Sequence, residues 1–314
     1  MYKIEDGVTQ SLLSAWLDCR QRAWYKINGY YVPKYTESLL FGNCFHYLLE
    51  QLYKLFQDGT ITSRTPIKVM IAMGNEAISE WMDTELKEAS GPDHNDTLEH
   101  VSLLSSAVLR GYIKRYKLTD FKTVKWIGQE SLFDIDFKGF RLRGKRDGEF
   151  EAGRSLYLLE NKTKGRIDEG TLTDNLTFDL QNLMYLLSLF LEQRKVVTKV
   201  RYNIIRKPQI KETKAIAGAA YYKRVEEDVL SRPEFYFVRW DLVYTKAEQK
   251  QFQRDLHAML KEFKQWVDGD IPTFKNDKAC VGRKFNCDFL TACASKSTDC
   301  LLQRDTLFPE LETN

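Results

Sequence analysis

The chain has 314 residues, 43% of them hydrophobic and 29% charged, and its 47 basic against 44 acidic residues leave a formal net charge of +3. This balance excludes a disordered chain, which would carry fewer apolar residues and a larger charge excess, while 17 Gly and 7 Pro exclude collagen-like or low-complexity sequence. No run approaches the ~18 apolar residues of a membrane span, and residues 1–9 hold two acids and no apolar signal region, so an intracellular, cytoplasmic protein is expected.

In chain order, a period near 3.6 predicts helices over 11–27 (with an interruption), 41–57, 67–88 and 97–117, the last two separated by the breaker run Gly91-Pro92-Asp93-His94-Asn95-Asp96. From about residue 128 the period changes to two. It predicts strands over 131–136, 140–150 and 156–163, joined by turns at Lys138-Gly139 and Gly153-Arg154. A helix over 178–193, a strand over 196–205, a strand over 235–242 and a helix over 246–267 follow. This order predicts an α/β (α+β) fold in one domain, 1–314, with a helical N-terminal part (1–120), an α/β core (121–268) and a Cys-rich appendage (269–314).

The near-neutral total hides local charge. Arg141, Arg143, Lys145 and Arg146 cluster, Lys162, Lys164 and Arg166 follow, and the stretch from Arg194 to Lys211, with Lys199, Arg201 and Arg206, holds no acid. Such strips suit a polyanion, although a solvated face is the plainer reading of any charge run.

Pairing the two strands about Gly153-Arg154 sets Asp147 opposite Glu160, and Lys162 lies two residues further on the same face. Two carboxylates can hold Mg²⁺ or Mn²⁺ while leaving positions for water and a phosphate oxygen, and a lysine beside them can orient or deprotonate that water. A cross-strand salt-bridge face is the alternative, and Glu149 and Glu151 share that face.

Gly144-x-x-Asp147 followed by Leu158-Leu159-Glu160-Asn161-Lys162-Thr163 resembles the core of the PD-(D/E)xK nucleases, with Asp147, Glu160 and Lys162 as the signature triad and without the Pro of the first motif. The resemblance implies a restriction-endonuclease-like mixed sheet flanked by helices. Asp179-Leu180-Gln181-x-x-x-Tyr185 resembles the Gln-x-x-x-Tyr motif of the RecB/AddB-like exonuclease branch, where the Gln and Tyr join the catalytic site. Gly42-Asn43-Cys44-Phe45-His46 resembles that branch's upstream helix and implies His46 as a further metal ligand. Glu130 resembles the Glu on the strand before the hairpin and is a fourth candidate metal ligand.

The six cysteines require a role other than disulfides in such a compartment. Ser14-Ala15-Trp16-Leu17-Asp18-Cys19-Arg20 resembles the N-terminal segment of the iron–sulfur members of the branch, including AddB and the CRISPR-associated RecB-like nucleases. The resemblance implies a [4Fe–4S] cluster on Cys19, Cys280, Cys287 and Cys293, with a structural role. The six-residue gap between Cys280 and Cys287 departs from compact versions and leaves Cys300 as a rival. A Zn²⁺ site on the late cysteines is the alternative, although their spacing lacks the usual knuckle. Cys44 reads as a buried small hydrophobe.

Gly139-Phe140-Arg141-Leu142-Arg143-Gly144-Lys145-Arg146 imitates a phosphate-binding loop, but Arg146 replaces the required hydroxyl and a strand follows, so ATP binding is rejected. A helicase, recombinase or single-strand-binding protein would be a separate chain. The expectation is a Mg²⁺- or Mn²⁺-dependent exonuclease on single- or double-stranded DNA ends, in recombination, repair or phage-type processing. Arg141, Arg143, Lys164, Arg166 and the 194–211 run, including Lys199, Arg201 and Arg206, are the phosphate-contact candidates. A structure-specific endonuclease or resolvase, or an inactive DNA-binding subunit with a metal-stapled tail, stands as the alternative.

Overall fold

A computed structural model describes residues 2–33, 36–88, 91–167, 170, 176–177, 179–281 and 286–311. Thr9 starts the first helix by accepting a hydrogen bond from the Leu12 N–H at 3.2 Å. Helix α1 (Gln10–Asp18) stops at Cys19, whose extended backbone separates it from α2 (Arg20–Ile27). The expected interruption therefore falls on a cysteine. Three long helices follow, α3 (Glu37–Gln57), α4 (Ile67–Glu88) and α5 (Pro92–Leu118). The predicted break at 91–96 is confined to its beginning. Pro92 occupies the first turn, where its missing N–H and fixed φ suit a helix start, so α5 begins at Pro92 rather than at 97.

A π-helical turn, Thr119–Thr123, leads into the sheet. The short strand β1 (Tyr30–Tyr31) precedes the long ones, β2 (Val124–Phe137), β3 (Phe140–Ala152), β4 (Ser155–Lys164), β5 (Lys199–Arg206) and β6 (Phe237–Val243). Helix α6 (Leu180–Gln193) connects β4 to β5, and α7 (Ala219–Ser231) and α8 (Pro233–Tyr236) connect β5 to β6. Residue 178, where the sequence reading begins α6, lies outside the described residues. Helix α7 was not expected, although Tyr221, Val225 and Val229 are its buried residues at four-residue spacing. The chain ends through α9 (Lys246–Asp268), the short helices α10 (Asp277–Cys280) and α11 (Leu290–Ser295), and β7 (Leu302–Gln303), which pairs with β1.

Among the described residues the main sheet runs β2-β3-β4-β5-β6, antiparallel except for the parallel β4–β5 pair. Alternation along the strands feeds two cores. Phe150, Leu159 and Ile205 pack with α3, α4, α5 and α7 on one side, and Leu142, Leu158 and Ile204 pack with α1, α6 and α9 on the other. The result is a mixed α/β sandwich, a central sheet flanked by helices on both faces, as the restriction-endonuclease-like expectation required. No helix among the described residues is long and apolar enough to cross a membrane.

Candidate active site

The hairpin register matches the sequence reading as far as it goes. Ala152 pairs with Ser155 and the ladder continues to Gly148 and Leu159. There it ends, so Asp147 and Glu160 do not form a ladder pair. The strands part, and the Asn161 N–H donates instead to Asp147 Oδ2 at 2.7 Å. Beyond this point β3 follows β2 while β4 follows β5, and the fork between them holds the acids.

Asp147 is the hub of the fork. Across from it, Glu130 lies between the Gln129–Gly148 and Ser131–Arg146 pairs of β2 and β3, and its backbone adopts φ 47°, in the left-handed region. A non-glycine residue there carries strain, which persists where surrounding structure demands it. From the helical side, His46 of α3 brings its Nδ1 to 3.7 Å from Asp147 Oδ2. Gly42, one turn earlier, explains the approach of that helix: a Cβ at Gly42 would lie 2.9 Å from Thr163 Oγ1 of β4. One candidate ligand atom each from His46, Glu130 and Asp147 lie within 4.8 Å of one another.

Burial makes the acids costly without a cation. Desolvation, reinforced by the Asp147 carboxylate, pushes Glu130 up to about 7 even though Lys145 Nζ stands 2.7 Å from it. Glu160 is fully buried, and desolvation followed by repulsion from Asp147 pushes it up to about 8. Its carboxylate contacts the Lys162 ammonium, yet neither oxygen has a hydrogen bond of ordinary geometry among the described residues. Burial alone would lower Lys162, but the Glu160 and Asp147 carboxylates outweigh it and the net shift is upward. A Lys162 able to deprotonate water therefore requires those carboxylates to be neutralised first.

The other side of Lys162 leads to α6. Asp179 caps this helix through the Asn182 N–H at 3.0 Å. Lys162 Nζ donates to Gln181 Oε1 at 3.1 Å, and Gln181 Nε2 donates to the Tyr185 hydroxyl at 3.1 Å. The residues of the Gln-x-x-x-Tyr pattern thus lie on one helix face and in line with Lys162. Glu149 and Glu151, which pattern could not separate from Asp147, have other partners. Buried Arg146 lies 2.8 Å from Glu149, and Lys125 stands 3.7 Å from Glu151.

The structure divides the basic candidates. Lys164 and Arg206 are parallel-ladder partners at the same end of the sheet as Lys162, and exposed Arg166 follows them. Lys199 and Arg201 lie at the opposite end, level with Tyr157 and Leu159. Arg201 makes a two-pronged pair with Asp241, at 2.7 and 2.8 Å. Arg141 and Arg143 both approach Asp134 and donate to carbonyls of the N-terminal segment, Glu5 and Asp6. Two cations of the acid-free run are paired in space: β6 supplies Asp241 to Arg201, and α3 supplies Glu37 to buried Lys207 at 2.9 Å.

The two chain ends meet beside Cys19. Cys19 Sγ accepts from the Asn276 N–H at 3.4 Å, and the Cys287 N–H donates to the Cys280 carbonyl at 2.9 Å. Cys280 lies within electrostatic reach of Cys19 and Cys293, and Cys287 within reach of Cys19. Cys287 and Cys293 border a small apolar cluster with Tyr25 and Phe289, and Cys300 is exposed. Cys44 is completely buried in the α3 core, as expected. Trp16 and Tyr25 are core residues, whereas Trp24 is at the surface.

Carboxylates that repel one another, one of them fully buried, together with an imidazole, form a donor set suited to a hard divalent cation. The same arrangement, an acid at the fork of a β-hairpin and an E-x-K on the next strand, is the one that the PD-(D/E)xK resemblance implies. A family model described as the PD-(D/E)XK nuclease superfamily matches residues 8–294. No curated protein matches the chain. The match covers the helical N-terminal part, the sheet and all but the end of the cysteine appendage, and the chain belongs to the PD-(D/E)XK nuclease superfamily.

Proposed function

We propose that the protein is a Mg²⁺- or Mn²⁺-dependent DNA exonuclease of the RecB/AddB-like branch, acting on DNA ends in recombination, repair or phage-type processing. The observation that carries this reading is the meeting of His46, Glu130 and Asp147 from three different elements, with Glu160 and Lys162 on the neighbouring strand. Asp147, Glu160 and His46 would hold the cation, and Glu130 is a fourth donor. When bound, the cation supplies an acidified water and neutralises charge developing on phosphorus. Lys162, kept as an ammonium by its acidic neighbours, orients the attacking water and donates to the phosphate. Gln181 holds Lys162 Nζ in place, and Tyr185 fixes the Gln181 amide. Lys164, Arg166 and Arg206, beside the fork, are the phosphate contacts best located for a bound strand. Arg141, Arg143, Lys199 and Arg201 have carboxylate or hydroxyl partners, so they are secondary contacts.

Two features favour the RecB/AddB-like branch, the Lys162–Gln181–Tyr185 line and the Gly42–His46 helix face. In the same reading Cys19, Cys280, Cys287 and Cys293 hold a [4Fe–4S] cluster, with Cys300 outside it. The cluster is a structural clamp on the two ends of one nuclease domain, since phosphodiester hydrolysis needs no electron transfer. Cys19 at the break between α1 and α2, Cys280 at the end of α10, Cys287, and Cys293 of α11 supply four thiols, none of them in a disulfide.

A comparison of end-labelled linear DNA with covalently closed circular DNA, each with Mg²⁺ or Mn²⁺ and an EDTA control, tests the exonuclease reading. Degradation of the linear substrate with the circle intact is expected. Cleavage of the circle would replace it with the endonuclease alternative.

A further inference from the structure

Strand β5 lies beside the catalytic segment of β4, and Asn203 is the parallel partner of Asn161, the residue between Glu160 and Lys162. Both asparagines are buried and face away from the acids, toward the core formed by α3 and α5. Asn203 Nδ2 donates to Asn161 Oδ1 and to the Tyr112 hydroxyl, each at 2.8 Å, and Asn203 Oδ1 accepts from Arg239 Nε at 2.9 Å. Arg239, on β6, is gripped by Asp120 at 2.6 and 2.7 Å. Tyr53 of α3 closes the group with hydrogen bonds to Tyr112 and Asp120. The link from this group to the fork is the Asn161 peptide, whose N–H donates to Asp147 Oδ2.

An apolar side chain at 161 would pack in this core as well as asparagine does. Instead the fold buries two amides, two tyrosine hydroxyls and an Asp–Arg pair, each of which costs stability unless fully satisfied. A fully satisfied buried network has one arrangement and rigidifies whatever it holds. What it holds is the peptide opposite Asp147, at the point where the β3–β4 ladder has ended and the acid has no ladder partner of its own.

We infer that Asp120, Arg239, Asn203 and Asn161 are positioning residues that fix the Asn161 peptide and, through it, the rotamer of the cation ligand Asp147. The inference rests on the proposed reading of Asp147 as a ligand. Groups that orient ligating carboxylates typically contribute ten- to a hundredfold to metal affinity. The network also couples the helical part, through Tyr53, Tyr112 and Asp120, to the ligand geometry of the sheet.

The test is Mn²⁺ binding by titration calorimetry on the purified full chain without DNA, for the wild type, Asp147→Ala, Asn203→Leu, Asn161→Leu and the double variant. Each single leucine substitution is expected to weaken Mn²⁺ about tenfold. Because Asn203 acts through Asn161, the double variant should also lose about tenfold rather than a hundredfold. Unchanged affinity in the folded single variants, or a multiplicative loss in the double, would overturn the inference while leaving the site reading intact. A wild type that takes up no Mn²⁺, or an Asp147→Ala variant that binds as well as wild type, removes the site reading and the inference with it. Should Asn203→Leu not fold, Tyr112→Phe removes only the hydroxyl that accepts from Asn203 and Arg239. A loss of a few fold in Mn²⁺ affinity is then expected, and no loss refutes the coupling.

Discussion

Glu160→Gln should make the protein more stable and inactive at once. The wild-type carboxyl is fully buried beside Asp147, and its pKa is raised from 4.5 to about 8. A carboxyl raised in the folded state carries no penalty while protonated in both states, below pH 4.5. The penalty grows as pH climbs through about 8, where the buried group must ionise. The interval, at about 1.36 kcal/mol per pH unit, sets a ceiling of about 5 kcal/mol at pH 8. Structural relaxation and the loss of the Lys162 counter-charge reduce this to roughly 2–3 kcal/mol of measured gain. At pH 5 the same arithmetic leaves less than about 1 kcal/mol. Urea denaturation of EDTA-treated wild type and Glu160→Gln at pH 5 and pH 8 reads the difference, and Mn²⁺ should stabilise only the wild type. A substitution that is neutral or destabilising at pH 8, or equally stabilising at both pH values, would refute the reasoning.

Gly42→Ala should cost about 1–3 kcal/mol through overpacking against Thr163 and lower cleavage as α3 carries His46 away from Asp147, measured by thermal unfolding and initial rates. Lys162→Met should reduce cleavage by at least about a hundredfold while leaving DNA affinity in Ca²⁺ within a few fold, because one ammonium is removed and the ligands stay. Cys19→Ser should lower bound iron and sulfide and destabilise the junction of the chain ends, whereas Cys44→Ala should leave both metal contents unchanged. Iron analysis of the two purified variants separates them.

The hairpin was legible because Gly153-Arg154 pins its register, and a two-residue period then assigns faces. The end of the ladder was not legible. It depends on β5 drawing β4 aside and on the Asp147 carboxylate accepting the Asn161 N–H, both long-range events. The ambiguity among Asp147, Glu149 and Glu151 had a local answer that pattern reading missed: Arg146, three residues before Glu149, is buried with it. His46 and Glu130 are candidates by resemblance alone. Their geometry comes from Gly42 and from a left-handed backbone at Glu130, and only the glycine is visible in sequence. The partners of the basic strips were not legible, because charge runs omit acids from distant segments, such as Asp241 for Arg201 and Glu37 for Lys207. The Asn161–Asn203–Arg239 network was missed because single buried amides on adjacent strands leave no periodic signal.

Cleavage of linear duplex DNA by wild type and by Asp147→Ala, purified identically and assayed with Mn²⁺ or EDTA, is the most direct measurement. Mn²⁺-dependent cleavage by the wild type is expected, none in EDTA, and at least about a thousandfold less by the variant with DNA affinity retained. Metal-dependent cleavage of equal rate by Asp147→Ala would contradict this expectation.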